Sequence, residues 1–311
     1  MVWEGPDHDD RLLSRLGQMP SHHNVPVSSN VRPQKMTLSL AWVRRVNTLE
    51  ELVIASDSRL RFGCAWDCSP KIFPLIRGDC AICFAGNTMY AYPIMEQIRN
   101  AIAMYPKARS RALDLCDLKG HILRVVQLME GLVHDLPRGA KEKDAPDAHF
   151  IFAGYSWVKA EFKIWILYYN SARKRFEFQR TATIHGNRIA IIGDDIKDAR
   201  NTIGALARAR EIPRGTGFNM EPFEVLRDFC RDDKRHQIGG APQILKIYKH
   251  MNAMPYAVYW PDRQSQGRHL MGRPLLKYEM ANYLMLDPDT LLTEDYVRDQ
   301  QMATIAFGTH I

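Results

Sequence analysis

The sequence lacks the long apolar runs that cross membranes. No stretch of about 18 apolar residues occurs. Residues 1–35 are polar and interrupted by prolines and charges, unlike the apolar core of a secretory signal. Internal repeats and low-complexity tracts are also absent. These absences argue against helical membrane proteins and secreted proteins, so we expect a cytoplasmic protein without a membrane partner.

The chain also lacks a recognisable nucleic-acid-binding motif, although its formal net charge is +7. A basic surface can attract nucleic acids or acidic partners. No basic run alternates with aromatic residues here, and a solvated basic surface explains the charge more simply. We therefore expect no nucleic-acid partner.

A convincing set of metal ligands is missing as well. Four of the six cysteines form a C-x3-C and then a C-x2-C series that superficially resembles a zinc site, namely Cys64, Cys68, Cys80 and Cys83. Residues 80–85 form an apolar run typical of a buried strand, in which Cys80 and Cys83 would face opposite sides. A zinc knuckle needs both on one tight turn. We therefore expect free, buried thiols and no metal site.

Apolar periodicity divides the rest of the chain into alternating groups of strands and helices. Residues 1–35 show no sustained period and are predicted to form an extension. The predicted strands span residues 37–45, 52–56, 71–75, 80–85, 149–154, 162–169, 175–180, 188–192, 242–248 and 256–260, and the predicted helices span residues 88–105, 110–136, 196–210 and 221–232. This order fits an α+β fold with two stacked antiparallel sheets between helix pairs.

Residues 36–250 contain a series of short segments whose order and spacing form a recognisable pattern. The first are an opening strand, a strand that ends in Asp-Ser-Arg, a segment that carries a lysine and a segment that ends in Ala-Gly-Asn. Three glycine-containing segments follow. These segments are residues 37–42, 53–59, 69–72, 83–87, 152–155, 190–193 and 238–240. In order and in spacing, these segments resemble those of proteasome β-subunits, including the bacterial two-component proteasome-like peptidases.

This resemblance implies the N-terminal-nucleophile (Ntn) hydrolase fold, a four-layer αββα sandwich of two antiparallel sheets between helix pairs. The domain would span residues 37–260. Residues 1–36 would be an extension or propeptide, unless the start is mis-assigned, and residues 261–311 would be a C-terminal extension packed on the core. The hairpin connection at residues 46–51 is predicted to be longer than usual for the family. No metal or organic cofactor is implied.

The resemblance also implies a catalytic group. Thr37 would be the nucleophile, and its own α-amine, with an ordinary pKa of about 7.7–8.0, would be the base. Lys71 would favour the ionised hydroxyl and lower the pKa of the amine by like-charge repulsion. Asp57 would hold Lys71 charged and oriented, and the backbone N–H of Gly86 would stabilise the oxyanion. Alone, each of these residues has an ordinary structural explanation, but the combination favours a site.

Two supporting positions depart from the family pattern. The family places a serine after the strand that ends at Gly193, where this chain has a pair of aspartates at residues 194–195. It also places an aspartate and a serine before the Gly-Gly pair, where Arg235 and Ile238 stand nearest. Asp194 or Asp233 could substitute for these groups.

Three further residues complete the predicted site. Arg59, in the Asp-Ser-Arg segment, is another supporting candidate. By resemblance, Phe84 and Thr88 would line the primary specificity pocket, which suggests that the substrate presents apolar or small side chains.

The mechanism needs a free amine on Thr37, yet the chain begins at Met1. In one route, residues 1–36 are a propeptide removed by autolysis, but Met36 stands where family precursors carry glycine. In the other, translation starts at Met36, and methionine aminopeptidase removes that residue in front of the small Thr37. The Met-Thr pair favours the second route.

The leading functional prediction is a threonine peptidase that cleaves peptides or unfolded proteins through an acyl-enzyme on Thr37. By resemblance it would assemble into a homo-oligomeric ring, and an ATP-driven unfoldase is among the partners that the family allows. A structural ring subunit without activity is the first alternative, favoured by the altered residues near Asp194 and Ile238. A small-molecule amidase or acylase of the Ntn class is the second.

Overall fold

The protein is described here by a computed structural model that covers residues 37–62, 64–132, 145–279 and 283–295, without the side chain of Phe62. Within these residues the chain is mixed α and β, with five helices and mostly antiparallel strand pairs. This composition is compatible with the predicted α+β class. The predicted extension at residues 1–36 lies outside the described residues, as does the end of the second predicted helix.

The strands and helices follow the predicted order closely. The strands are β1 (Leu38–Val46), β2 (Leu49–Ser56), β3 (Leu60–Phe62), β4 (Cys64–Trp66), β5 (Ile72–Pro74), β6 (Cys80–Gly86), β7 (Ala148–Ser156), β8 (Glu161–Asn170), β9 (Arg175–Gln179), β10 (Ala182–Ile184), β11 (Asn187–Gly193), β12 (Gln243–Tyr248), β13 (Asn252–Tyr259), β14 (Arg268–Leu270), β15 (Arg273–Pro274), β16 (Met285–Leu286) and β17 (Thr293–Glu294). The helices are α1 (Thr88–Met104), α2 (Pro106–Arg109), α3 (Leu115–Glu130), α4 (Ile196–Ala209) and α5 (Glu221–Arg231).

Two large sheets organise these strands. The first has the order β10-β11-β1-β2-β12-β13-β14-β15, and β16 pairs in parallel with β13 at its side. The second has the order β5-β6-β7-β8-β9. A separate short hairpin joins β3 and β4, and it was not predicted from the sequence. The described part of the predicted C-terminal extension thus contributes short strands that join the first sheet at and beyond β13.

The described residues form three large apolar clusters and one small one, and alternation along the strands assigns neighbouring residues to different clusters. In β1, Leu38, Leu40 and Trp42 pack with α4 and α5, whereas Ala41 belongs to a cluster formed by residues of both sheets. A further cluster joins the second sheet to α1 and α3. Each large sheet therefore buries one face against helices and contributes the other face to a shared apolar cluster.

The cysteines show the same alternation. Cys80 packs on the helix side of β6 and Cys83 packs between the sheets, so the prediction that they face opposite ways is confirmed. The prediction of burial was wrong for Cys64 and Cys68, which are exposed on and after the β3–β4 hairpin. In the part of the chain that the structure describes, no group of His, Cys, Asp and Glu could hold a metal ion.

The first hairpin differs from the prediction. Its connection is Asn47 and Thr48 alone, because β1 and β2 continue their pairing as far as Val46 and Leu49. Asn47 has a φ of 54°, a conformation that two-residue hairpin turns require and that asparagine tolerates. Glu50 and Glu51, which suggested a long connection, are instead ladder positions of β2, and Glu51 is buried in ion pairs with Arg44 and Lys246.

Helix α3 begins later than predicted, because Asp114 caps it. The side chain of Asp114 accepts hydrogen bonds from the backbone N–H of Cys116 at 3.1 Å and from the hydroxyl of Ser156 at 2.9 Å. The residues before this cap form the short helix α2 and a turn. Among the described residues, no helix is both long enough and apolar enough to cross a membrane.

We expect Asp114→Ala to lower the free energy of unfolding by about 2 kcal/mol at pH 7, since it removes a buried N-cap. Burial raises the pKa of Asp114, but hydrogen bonds from Cys116 and Ser156 outweigh it and hold this pKa below its ordinary value. A carboxyl with a lowered folded-state pKa stabilises the fold above its unfolded pKa of about 3.9 and loses this effect as the pH falls.

Urea unfolding at pH 7 and at pH 3 checks this expectation. The difference between wild type and Asp114→Ala should shrink at pH 3. Asp114→Asn is the matched control, because it keeps a capping oxygen without the charge. A difference of equal size at both pH values would contradict the assigned role of the carboxylate.

Candidate active site

Strand pairing brings the three predicted catalytic residues to one end of the sheets. In the β1–β2 ladder Ser39 lies opposite Ser56, so Thr37, just before β1, is close to Asp57, just after β2. Lys71 directly precedes β5 of the second sheet. Each of the three residues therefore adjoins one end of a strand, and strand pairing fixes the position of its backbone.

The side chain of Lys71 joins the other two residues. Its Nζ donates to Oγ1 of Thr37 at 2.6 Å and to Oδ1 of Asp57 at 2.7 Å. All three residues are fully buried. A buried ammonium held between a hydroxyl and a carboxylate is the arrangement that lowers the free energy of an ionised hydroxyl.

The carboxylate of Asp57 is held by the backbone as well as by Lys71. Its Oδ1 also accepts from the N–H of Leu38 at 3.1 Å, and its Oδ2 accepts from the N–H of Arg59 at 3.1 Å and of Gly239 at 3.3 Å. These donors fix the orientation of the carboxylate and keep its charge partly compensated. The Gly-Gly segment singled out from the sequence therefore contributes a backbone N–H to the site.

Burial shifts the pKa values of the pair in opposite directions. Removal from water lowers the pKa of Lys71, and the nearby Asp57 carboxylate opposes this shift. Removal from water likewise raises the pKa of Asp57, and Lys71 and the N–H of Leu38 oppose it. Burial thus disfavours the charge on each group, and the ion pair between them offsets part of this effect.

Gln243 is a buried member of the site that the sequence did not reveal. Its Oε1 accepts from the backbone N–H of Lys71 at 2.9 Å, and its Nε2 donates to the carbonyl oxygens of Asp57 at 3.1 Å and Ser69 at 2.8 Å. One amide therefore links the backbone of the aspartate to that of the lysine. Gln243 begins β12, which pairs with β2, and this pairing places it beside Ser56.

Asp194 contacts Thr37 through two hydrogen bonds. Its Oδ2 accepts from the backbone nitrogen of Thr37 at 3.2 Å, and its own N–H donates to the carbonyl oxygen of Thr37 at 2.6 Å. The structure therefore brings this predicted supporting residue to Thr37, and a carboxylate faces the backbone nitrogen of Thr37.

The other two supporting candidates lie differently. Arg59 forms a two-point ion pair with Asp67, at 2.7 Å for each hydrogen bond, and also donates to the carbonyl of Ile238 at 3.4 Å. Through these contacts Arg59 stabilises the loop that contains Gly239. Asp233 is exposed in the turn after α5, and within the described ranges no hydrogen bond or ion pair connects it to Thr37, Asp57 or Lys71. The geometry gives no support to Asp233 as a substitute.

Gly86 ends β6, directly before Asn87, the N-cap of α1, and has a φ of 107°. A Cβ at this position would overlap the carbonyl oxygen of Asp147. Glycine is therefore required both by the backbone conformation and by the close approach of a neighbouring chain segment. These constraints explain the glycine structurally, and its role as an oxyanion donor stays a prediction.

The two predicted pocket residues are both buried. The ring of Phe84 packs against Tyr92, with ring centroids 5.0 Å apart, in the cluster beneath α1. This side chain serves the core, so its position does not support a role in lining an open pocket. Thr88, at the first turn of α1, has a buried hydroxyl without a hydrogen-bond partner among the described residues.

Comparison with known proteins does not supply a family. No protein-family model matches the chain. No curated protein matches it either. The functional assignment therefore depends on the site itself: the contacts of Lys71 with Thr37 and Asp57, the Gln243 bridge and the Asp194 contacts.

Proposed function

We propose that the chain is a threonine-type peptidase of the proteasome-like Ntn-hydrolase class. The observation that carries this proposal is the position of Lys71, whose Nζ lies 2.6 Å from Oγ1 of Thr37 and 2.7 Å from Oδ1 of Asp57. A threonine with a purely structural role does not require a buried ion pair beside it. Burying two charges costs free energy, and activation of the hydroxyl by these charges explains that cost.

The packing supports the finer fold assignment. Two sheets each bury one face against helices, α4 and α5 for the first and α1 and α3 for the second. Their other faces share a third apolar cluster. This distribution is what a four-layer αββα sandwich requires, and such a sandwich is the fold that we propose, with a domain from residue 37 to residue 260 and a C-terminal extension after it.

In the proposed reaction, Oγ1 of Thr37 attacks the carbonyl carbon of a peptide bond. Its proton passes to the α-amine of Thr37, and Lys71 stabilises the oxygen as this proton leaves. Collapse of the tetrahedral intermediate breaks the C–N bond, and the amine delivers the proton to the leaving nitrogen. Water then adds to the resulting ester with the same amine as base, and the C–Oγ1 bond breaks to regenerate Thr37.

The substrate, location and partners that we propose are those implied by the resemblance to proteasome β-subunits. The substrate would be a peptide or an unfolded protein, and the chain would act in the cytoplasm within a homo-oligomeric ring, with an ATP-driven unfoldase as a candidate partner. An inactive ring subunit is the competing function, because Met36 precedes Thr37 in the sequence and blocks the amine while it remains.

Labelling with a β-lactone, an electrophile that traps N-terminal threonine, tests the proposal. We expect the wild-type chain with Thr37 at its mature N-terminus to be labelled, and Thr37→Ala to lose at least about 10³-fold in labelling rate, because the attacking oxygen is removed. Thr48→Ala, in the exposed turn of the first hairpin, is the matched control and should be labelled like wild type.

N-terminal sequencing and intact mass of protein from its native host complete the test. Equal labelling of wild type and Thr37→Ala, or a mature chain that keeps Met36, would argue for the inactive subunit. For a labelled chain, turnover of peptides against turnover of small amides separates the peptidase from the small-molecule amidase or acylase.

A further inference from the structure

We infer that Asp194 holds the α-amine of Thr37 and raises its pKa, so that the enzyme works best at a higher pH than one with a neutral group at this position. This inference rests on the proposed function, because it concerns the amine that would be the base. It goes beyond that proposal by assigning an electrostatic positioning role to a residue that departs from the family pattern.

The two hydrogen bonds between Asp194 and Thr37 leave little freedom in their relative position. The carboxylate accepts from the nitrogen of Thr37 at 3.2 Å, while the N–H of Asp194 donates to the carbonyl of Thr37 at 2.6 Å. The nitrogen that donates is the same atom that becomes the amine when Met36 is removed. A carboxylate at this distance favours the charged form of an amine over the neutral form.

Gly193 explains how Asp194 reaches this position. It has a φ of 111°, and a Cβ there would overlap the carbonyl oxygen of Thr37. The end of β11 therefore approaches the start of β1 more closely than any residue with a side chain would allow. Asp194, as the next residue, has its carboxylate brought to the Thr37 nitrogen by this close contact.

The ionisable groups of the site also include Lys71, Asp57 and Cys230. Lys71 opposes the effect of Asp194 by like-charge repulsion of the amine, and Asp57 partly compensates Lys71. The thiol of Cys230 on α5 remains neutral, because burial raises its pKa well above the ordinary value. These groups are common to wild type and to an Asp194 variant, so their contributions cancel in a comparison of the two.

A separate ionic cluster occupies the start of α4. Arg235 pairs with Asp195 at 2.6 Å, with Asp232 at 3.3 Å and also with Asp198. The carboxylate of Asp195 therefore adjoins Asp194 in the chain but has a different partner. This neighbour provides a matched control for the effect of removing a negative charge near the site.

The chemistry gives the direction of the effect. The amine must be neutral to accept the proton of Oγ1, so the rate rises with pH as the amine loses its proton. Asp194 stabilises the ammonium formed at this step without taking the proton itself. In wild type the rise should be centred about one pH unit or more above its position in Asp194→Asn, in which the charge is absent.

The test is the pH dependence of inactivation by the β-lactone, measured on chains whose mature N-terminus is verified as Thr37. We expect the midpoint to move down by about one unit or more in Asp194→Asn and to recover, at least in part, in Asp194→Glu. Asp195→Asn should keep the wild-type midpoint. Its φ of 48° is a conformation that asparagine adopts readily, so the control should fold normally.

The other outcomes separate this inference from the proposed function. Equal midpoints in wild type and Asp194→Asn, or the same shift in Asp195→Asn, would overturn the role of Asp194 and leave the peptidase intact. Absence of wild-type labelling at every pH would overturn the proposed function, and this inference with it.

Discussion

Replacement of Lys71 by methionine should reduce the rate of β-lactone labelling by at least about 10³-fold, an effect of the size seen when a member of a catalytic group is removed. Lys71 is the donor to Oγ1 of Thr37, and a methionine fills similar space without a hydrogen or a charge. The same change should lower the free energy of unfolding by about 3–5 kcal/mol at pH 7, because Asp57 becomes an unpaired buried charge.

A second substitution separates the two effects of Lys71→Met. Adding Asp57→Asn removes the uncompensated charge, so most of the stability should return while labelling remains lost. Urea unfolding measures the first quantity and lactone kinetics the second. Wild-type labelling by Lys71→Met would contradict the assigned role of Lys71, and full activity in the double variant would contradict the role of the pair.

Loss of Arg77 should have the largest effect on stability outside the site. Its guanidinium forms two hydrogen bonds with the fully buried Asp79, at 2.6 and 2.8 Å, and also donates to the carbonyls of Ala108 at 3.1 Å and Leu113 at 2.9 Å. Arg77→Leu leaves the Asp79 charge buried without its partner. We expect the free energy of unfolding, measured with urea, to fall by about 3–5 kcal/mol.

Two controls distinguish this buried pair from ordinary ion pairs. Arg99→Leu breaks the exposed pair with Glu96 on α1 and should change stability by less than about 1 kcal/mol. Arg77→Leu combined with Asp79→Leu removes both charges and should recover most of the loss. Equal losses of stability in Arg77→Leu and Arg99→Leu would contradict the stabilising role assigned to the buried Arg77–Asp79 pair.

Local patterns in the sequence were sufficient to predict most of the elements. Alternation of apolar side chains, such as Leu38, Leu40 and Trp42 in β1, depends only on the period of a strand. The hairpin β3–β4 was missed because its strands have three residues each, too few to show a period. The cap at Asp114 was missed because a helical apolar pattern does not reveal where the first turn begins.

The site was predicted in part for a similar reason. Thr37, Asp57 and Lys71 could be named because each belongs to a recognisable local segment. Gln243 could not, since a glutamine at the start of an apolar strand carries no local signal, and its role depends on contacts with distant backbone groups. The pocket role expected for Phe84 is not supported. The position of a residue in a motif does not determine on which face of the strand its side chain lies.

The contacts of Gln243 and Asp194 have a consequence for the order of folding. They join residues separated by 157 to 186 positions in the chain. Contacts between such distant residues form late, because a long loop must close before they can be made. An incompletely synthesised or partly folded chain thus lacks the Asp194 and Gln243 contacts that hold Thr37, Asp57 and Lys71 in place. On the proposed function, we expect such a chain to digest itself and its neighbours less than the completed structure would.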